Sequence, residues 1–311
     1  MVQAKKSFGK AYRNVGEQVQ VFAERGMVID CPEEEAVSAL KTVAYYRFTG
    51  YALPFRDPMT GMYTGGLSFG DVLALYRFDS QLRELVGKAL AAVEITLRAL
   101  VADEMSDKYG PLGYLDVTNF KPNGGYEKTL SLIQSEFRRS KQPCAEHFKA
   151  EYAEPPFWAM VDLTTFGSIS GILKNLKRED QNAISTHYGM RGDYLASYMQ
   201  HATVLRNLCA HHCRVFDFPY SRLRKTPQEF IFAPLNVWIK SGLPIRSDRP
   251  LLYQLALIYH LLAPTDVRVF DRTEWRNQVC VHFGTLPHTI EKRVRGYVDF
   301  PSDAVDSPLW A

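Results

Sequence analysis

A long helical pattern limits most strongly what this chain can fold into. Ser68-Phe69-Gly70-Asp71 resembles a capping box, and an amphipathic pattern follows it to Lys108. One apolar stripe runs along this segment: Leu82, Leu85, Val86, Ala89, Leu90, Val93, Leu97 and Leu100. A pattern of about 40 residues is long for one globular helix, so a break near Asp79 is expected.

Further helical patterns make the expected fold class all-α, since no segment alternates as a half-buried strand would. Asp30-Cys31-Pro32-Glu33 is typical of a helix start, with Asp30 as the cap of a helix that runs through Phe48. The other predicted helices cover residues 125–139, 157–176, 178–187, 193–213, 250–263 and 272–283, and the stretches 54–66 and 218–250 are rich in Pro or Gly. We expect an N-terminal helical segment (1–29), a main helical domain (30–217) and a C-terminal helical extension (218–311).

Composition excludes several classes of protein. The 311 residues are 46% hydrophobic and 23% charged, which is typical of a folded globular protein. A net charge of +3 is low for a dedicated duplex-DNA binder but leaves room for a local RNA-binding patch. The N-terminal residues do not resemble a secretory signal, and the longest apolar run (251–263) is too short to span a bilayer. Five scattered cysteines favour a reducing cytoplasm.

The segment 205–214, Leu-Arg-Asn-Leu-Cys-Ala-His-His-Cys-Arg, carries the clearest chemistry. RNA cleavage without a metal needs a base, an acid, and positive charge on the phosphorane. Histidine suits the two proton transfers, and arginine binds phosphate oxygens while staying protonated. Arg206, Asn207 and His211 are therefore the candidate catalytic residues, with no cofactor and no metal.

Helical geometry separates these three residues. Asn207 and His211, four positions apart, share a face, so Asn207 can orient the imidazole or contact the phosphate. Arg206 and His211 lie about 140° apart on an ideal helix. Arg206 must therefore reach round, the helix must bend, or one of the two comes from a second subunit.

Other interpretations of this region stay open. His212 and Arg214 are secondary candidates, and Glu94 and Arg98 form either a simple intrahelical ion pair or a support for the motif. The motif itself is also compatible with a polar helix end. Cys209, His212 and Cys213, with Cys280 and His282 from afar, could bind zinc, although this spacing is unusual for such a site.

Aromatic and basic residues elsewhere are candidate RNA contacts. In the stripe Tyr45–Phe48, Tyr46 and Arg47 could stack on bases, but burial in the core is the favoured interpretation. Lys292, Arg293 and Arg295 could form a phosphate-contacting edge, whereas Lys174, Lys177 and Arg178 are typical of a solvated face.

Several segments together resemble the Abi family of abortive-infection proteins (AbiD/AbiF-like), a branch of the HEPN superfamily. They are Tyr45–Tyr51, Phe78-Asp79 with Leu82-Arg83, Glu94–Arg98, Pro156–Trp158, Phe166-Gly167, the Arg206–His211 block continuing to Phe216, and Phe300-Pro301 to Pro308–Trp310. The resemblance implies a HEPN-like helical bundle with extra N- and C-terminal helices, in a cytoplasmic protein that stops phage propagation.

The resemblance also implies an activity and partners. The expected activity is metal-independent, host-toxic RNA cleavage that leaves 2′,3′-cyclic phosphate ends, by a homodimer whose site is shared. A regulatory non-coding RNA or an antitoxin is a further family-level expectation. The alternative is a non-catalytic RNA- or protein-binding scaffold of a defence or toxin–antitoxin system.

Overall fold

The computed structural model describes residue 9, residues 11–122, 124–218 and 251–298, and residues 300 and 310. These residues form 13 α-helices and contain no β-strand, which confirms the all-α prediction. The helices are α1 (Val15–Glu24), α2 (Glu33–Val43), α3 (Tyr45–Ala52), α4 (Phe69–Tyr109), α5 (Tyr126–Arg139), α6 (Pro143–Glu151), α7 (Phe157–Asp162), α8 (Phe166–Asn175), α9 (Arg178–Thr186), α10 (Gly192–Ala210), α11 (Leu251–Leu261), α12 (Arg272–Phe283) and α13 (His288–Val298). The stretch 219–250, predicted to be irregular, lies outside the described residues, as do residues 301–309.

Helix α4 is one unbroken helix of 41 residues. Its start is the capping box expected from the sequence: Ser68 Oγ accepts from the Asp71 N–H at 3.0 Å, and Asp71 accepts from the Ser68 N–H at 3.1 Å. The predicted break near Asp79 is wrong. Asp79 is fully buried and accepts a 2.7 Å hydrogen bond from the Tyr51 hydroxyl, so this carboxylate stays inside a continuous helix.

The first predicted helix needs two corrections. Asp30 does not cap α2, which begins after Pro32 without a side-chain cap; its Oδ1 instead accepts from the Gly70 N–H at 2.8 Å, in the first turn of α4. The chain also breaks at Ala44, whose φ of 68° separates α2 from α3. An alanine does not indicate a positive φ, so the sequence pattern predicts one continuous helix across this break.

The segment 157–176 is two helices, where one was predicted. Helix α7 ends at Asp162 and α8 begins at Phe166, with Thr165 as its N-cap accepting from the Ser168 N–H at 3.2 Å. Helices α6 and α13 were not predicted. The break before α8 leaves the Thr164 carbonyl available to accept a hydrogen bond from Arg98 on α4.

The chain divides into two compact units. The first comprises the described residues within Met1–Ser80 together with Thr285–Val294. In its core the Phe48 ring stacks on Phe69, with centroids 4.5 Å apart, and makes a tilted contact with Phe22 at 4.9 Å. The second comprises the described residues within Gln81–Gly284 and Arg295–Ala311. Here α10 packs against α8 and α9, and the apolar stripe of α4 from Leu82 to Leu97 is buried, except for the partly exposed Leu85.

Candidate active site

Helix α10 ends inside the candidate motif, at Ala210. The Cys213 N–H donates to the Leu208 carbonyl at 2.8 Å and the His212 N–H to the Cys209 carbonyl at 3.1 Å, which is a Schellman ending. His212 occupies its left-handed position with a φ of 54°. The αL residue terminates the helix and leaves His211 as the C-cap.

Arg206 connects α10 to α4. Its Nε and Nη2 both donate to Oε2 of Glu94 at 3.4 Å, and its Nη1 donates to Oδ1 of the adjacent Asn207 at 3.0 Å. Glu94 is only 8% exposed, so the guanidinium is held from a buried, negatively charged anchor. The Arg206 side chain therefore extends to α4 and also contacts Asn207, the residue that shares a helix face with His211.

Glu94 also binds a second arginine through its other oxygen. Nη2 of Arg98 donates to Oε1 of Glu94 at 2.5 Å and to the Thr164 carbonyl at 2.6 Å. The predicted Glu94–Arg98 intrahelical pair is therefore confirmed, and its carboxylate serves α10 as well. The Thr164 contact was missed, because only the N-cap signal of Thr165 marks that turn in the sequence.

His211 lies one turn beyond Asn207. Its backbone N–H donates to the Asn207 carbonyl at 2.9 Å, so the helical path continues to this residue and keeps the two on one face. Its side chain is exposed, and no hydrogen bond joins its imidazole to any other residue that the structure describes. A ring in this position can contact a bound ligand.

The secondary candidate Arg214 faces a different partner. Its Nη1 forms an ion pair with Oδ2 of Asp217 at 2.9 Å, and the Asp217 side chain is only 6% exposed. Arg83, buried on α4, donates to the Cys213 carbonyl at 3.4 Å. These contacts fix the chain that leaves the motif.

The remaining RNA-contact candidates are dispersed over the two units. In the first unit Tyr46 is 79% exposed and Arg47 is exposed, whereas Phe48 is buried, so the favoured core interpretation fits Phe48 and not Tyr46. Arg293, also in the first unit, donates to the Pro54 carbonyl at 2.8 Å, and its neighbour Lys292 is exposed. Arg295 belongs to the second unit, where its guanidinium lies 5.9 Å from the Phe283 ring.

The zinc interpretation gains no support from the geometry. Within the described part of the chain, no group of three or more His, Cys, Asp or Glu side chains is arranged to hold a metal ion. Cys209, His212 and Cys213 are therefore not placed as a common ligand set with Cys280 and His282.

Comparison with known proteins identifies the family. A family model described as Abi-like protein matches residues 38–217, which is more than half of the chain and includes Glu94, Arg206 and His211. The chain therefore belongs to the Abi-like protein family, and this membership indicates a role in abortive infection, a form of phage defence. No curated protein and no solved structure matches the chain. Across the described residues, none of the helices combines the length and hydropathy that a bilayer span requires.

Proposed function

We propose that this protein is a metal-independent, HEPN-type endoribonuclease that stops phage propagation by cleaving RNA in the infected cell. One observation carries the proposal: Arg206 is held by the buried Glu94 and by Asn207, one turn before the exposed His211. A fixed guanidinium and an accessible imidazole are the two kinds of group that metal-free RNA cleavage needs.

Arg206 has the capacity to bind phosphate. Three of the five N–H donors of an arginine are used here, two by Glu94 and one by Asn207, which leaves two for a ligand. The side chain is 30% exposed, so a phosphodiester can approach it. A guanidinium already anchored loses little conformational entropy on binding, which favours stabilisation of the charge that develops on the phosphorane.

The proton transfers fall to His211. A neutral imidazole takes the 2′-hydroxyl proton as the 2′-oxygen attacks phosphorus, and an imidazolium donates a proton to the departing 5′-oxygen. Cleavage then leaves a 2′,3′-cyclic phosphate on one fragment and a 5′-hydroxyl on the other. Asn207 holds Nη1 of Arg206 and shares a helix face with His211, and we propose that it orients the imidazole when RNA is bound.

A homodimer would supply separate imidazoles for the two transfers. A single His211 must change its protonation state between two roles, whereas a second copy places another His211 and Arg206 in the same cleft. The proposed partners are therefore a second copy of the chain and an RNA substrate, with a regulatory non-coding RNA or antitoxin restraining the activity.

Expression in a bacterial host tests the proposal. Wild type should arrest growth and fragment cellular RNA, whereas His211→Ala should do neither at equal protein level. His147→Ala is the matched control, because this histidine is exposed on α6 and lies outside the motif. Growth arrest by His211→Ala with intact RNA would favour the non-catalytic scaffold instead.

A further inference from the structure

Two arginines of the first unit lie beside a buried tyrosine. Arg56 and Tyr63 face each other in an antiparallel bridge, and the hydrogen bonds on either side of it, of 2.8 and 3.0 Å, make them a non-hydrogen-bonded pair. The side chains of such a pair lie on one face, with Cβ atoms about 5 Å apart. Arg25, at the end of α1, joins them because its carbonyl accepts from the Tyr63 N–H at 2.8 Å. We call Arg25, Arg56 and Tyr63 the two-arginine cluster.

Gly61 holds the Arg56 side chain in place. Nε of Arg56 donates to the Gly61 carbonyl at 2.8 Å. Gly61 has a φ of 75°, and a Cβ at this position would lie 2.8 Å from Nη2 of Arg56, so a side chain there would displace the guanidinium. One of the five N–H donors of Arg56 is thus used, and the other four have no acceptor among the described residues.

The Tyr63 hydroxyl is buried without a hydrogen bond to any described residue, and the residue is only 6% exposed. Such an unsatisfied group costs stability. Burial raises the pKa of Tyr63, and the positive charges of Arg25 and Arg56 oppose this rise, so both guanidiniums lie close enough to act on the hydroxyl. Arg25 lies near hydrogen-bonding range of the hydroxyl, without the geometry of a bond.

No carboxylate in the described ranges balances the charge of the cluster. Neither Arg25 nor Arg56 forms an ion pair there, although Glu24 and Asp57 are their neighbours in sequence. The Asp57 carboxylate instead accepts two backbone N–H groups of its own turn, both at 2.8 Å. A basic residue at a helix end ordinarily binds the last carbonyl groups, but the Arg25 side chain forms no such bond. Two like charges that lie close together repel each other, so a bound anion would stabilise them.

An exposed aromatic ring adjoins the cluster. The rings of Tyr63 and Tyr45 both contact Phe22, with centroids 6.3 and 5.2 Å apart, and Tyr45 meets Tyr46 edge-on at 5.5 Å. Tyr46 is itself 79% exposed. An exposed tyrosine ring is a surface on which a nucleobase can stack. Donors for a phosphate and a ring for a base therefore lie side by side in the first unit.

We propose that the two-arginine cluster binds the phosphate of a nucleotide, whose base stacks on Tyr46. The guanidiniums bind phosphate oxygens through charge-assisted hydrogen bonds, and the Tyr63 hydroxyl donates the partner bond that it lacks in the free protein. The site shares no residue with the candidate active site and goes beyond the proposed function. A free nucleotide and a nucleotide within an RNA strand present the same chemistry, and the test separates them.

Calorimetric titration with AMP tests the site. Arg25→Gln and Arg56→Gln should each raise the dissociation constant of AMP about tenfold, because each removes a charge-assisted bond to the phosphate. Arg13→Gln is the matched control and should leave the constant unchanged, since the 10 residues of α1 separate this exposed arginine from Arg25 by about 15 Å.

Two further variants separate the contacts with the base and the phosphate. Tyr46→Ala should weaken AMP about tenfold and leave the affinity for inorganic phosphate unchanged, because only AMP carries a base. Tyr63→Phe should weaken both ligands without lowering the unfolding midpoint, since the hydroxyl has no partner in the described protein. A tyrosine with a purely structural role would leave both dissociation constants unchanged in Tyr63→Phe.

A short oligoadenylate identifies the source of the nucleotide. It is titrated in an Arg206→Gln background, which removes the catalytic arginine proposed above as a competing phosphate site. Binding of AMP would support a free nucleotide as the ligand. Binding of the oligoadenylate alone, weakened by Arg25→Gln, would support an RNA strand.

Three results would contradict the proposal. Failure of both ligands to bind at millimolar concentration, or wild-type affinity in Arg25→Gln and Arg56→Gln, would overturn the site. Inorganic phosphate bound as tightly as AMP would overturn the contact between the base and Tyr46. None of these results bears on RNA cleavage at His211, which is measured separately.

Discussion

Glu94 and Arg206 are 112 positions apart in the sequence, and their side chains meet at 3.4 Å. Glu94 belongs to the long helix α4, and Arg206 lies near the end of α10. The contact sets the direction of the Arg206 guanidinium, and Asn207 holds its remaining edge. An ordinary helix-end arginine would point to solvent or to its own carbonyl groups.

Neutralising Glu94 should destabilise the protein. Glu94→Gln leaves Arg98 and Arg206 without their shared negative partner, and we expect the free energy of unfolding to fall by about 2–3 kcal/mol, discounted for the partial exposure of both arginines. Urea unfolding measures the change. Glu146→Gln, at an exposed ion pair with Lys149, is the control and should shift stability by no more than about 0.5 kcal/mol. Equal effects at the two positions would mean that Glu94 is not a structural anchor.

Removing the Asn207 side chain should reduce activity more than stability. Asn207→Ala releases Nη1 of Arg206 and takes away the neighbour of His211 on the same face, so we expect RNA cleavage to slow about 10- to 100-fold. Because Asn207 is exposed, the unfolding midpoint should change little. An unchanged cleavage rate would remove Asn207 from the site.

Ala44 offers a test of backbone strain. Its φ of 68° and ψ of 143° suit glycine far better than alanine, so Ala44→Gly should raise the free energy of unfolding by about 1 kcal/mol. The same substitution at Ala39, within α2, should lower it by about 1 kcal/mol. Thermal or urea unfolding of the two variants should therefore give shifts of opposite sign, and a loss of stability in both would contradict the strained conformation.

His201 should make the free energy of unfolding fall as the pH drops below about 6.5. Burial lowers the pKa of His201 below its ordinary value of 6.5, so the folded state favours the neutral ring. As the pH falls, the unfolded chain binds a proton at His201 before the folded protein does. The contribution of the neutral, buried ring to folding stability is therefore fully present above about pH 6.5, and it is lost as the pH drops from there toward the folded-state pKa. His201→Gln should flatten the fall in urea midpoint between pH 7.5 and pH 5, roughly the window that this shift defines. The exposed His147→Gln control should keep the wild-type slope.

Much of the fold could be predicted because its determinants are local. The capping box at Ser68 predicts the start of α4 and the apolar stripe predicts its buried face, although the break expected near Asp79 does not occur. The Arg206–His211 spacing predicts which motif residues share a face. The errors at Asp30 and Ala44 have tertiary causes: Asp30 caps the first turn of a helix 40 residues away, and Ala44 adopts a conformation without a sequence signal.

Only part of the candidate site could be predicted from the sequence. The pair Glu94 and Arg98 follows from helical spacing, but its connection to Arg206 depends on how α4 and α10 pack. The Thr164 carbonyl joins the cluster only because the chain breaks before α8. Contacts between elements distant in sequence leave no periodic pattern.

Cleavage of a labelled single-stranded RNA by the purified protein in EDTA tests the central claim most directly. Wild type should cut the RNA and leave 2′,3′-cyclic phosphate ends, while His211→Ala should lose the activity and keep the helical content and unfolding midpoint of wild type. Activity that disappears in EDTA, or cleavage by His211→Ala at the wild-type rate, would contradict a metal-free site built on Arg206, Asn207 and His211.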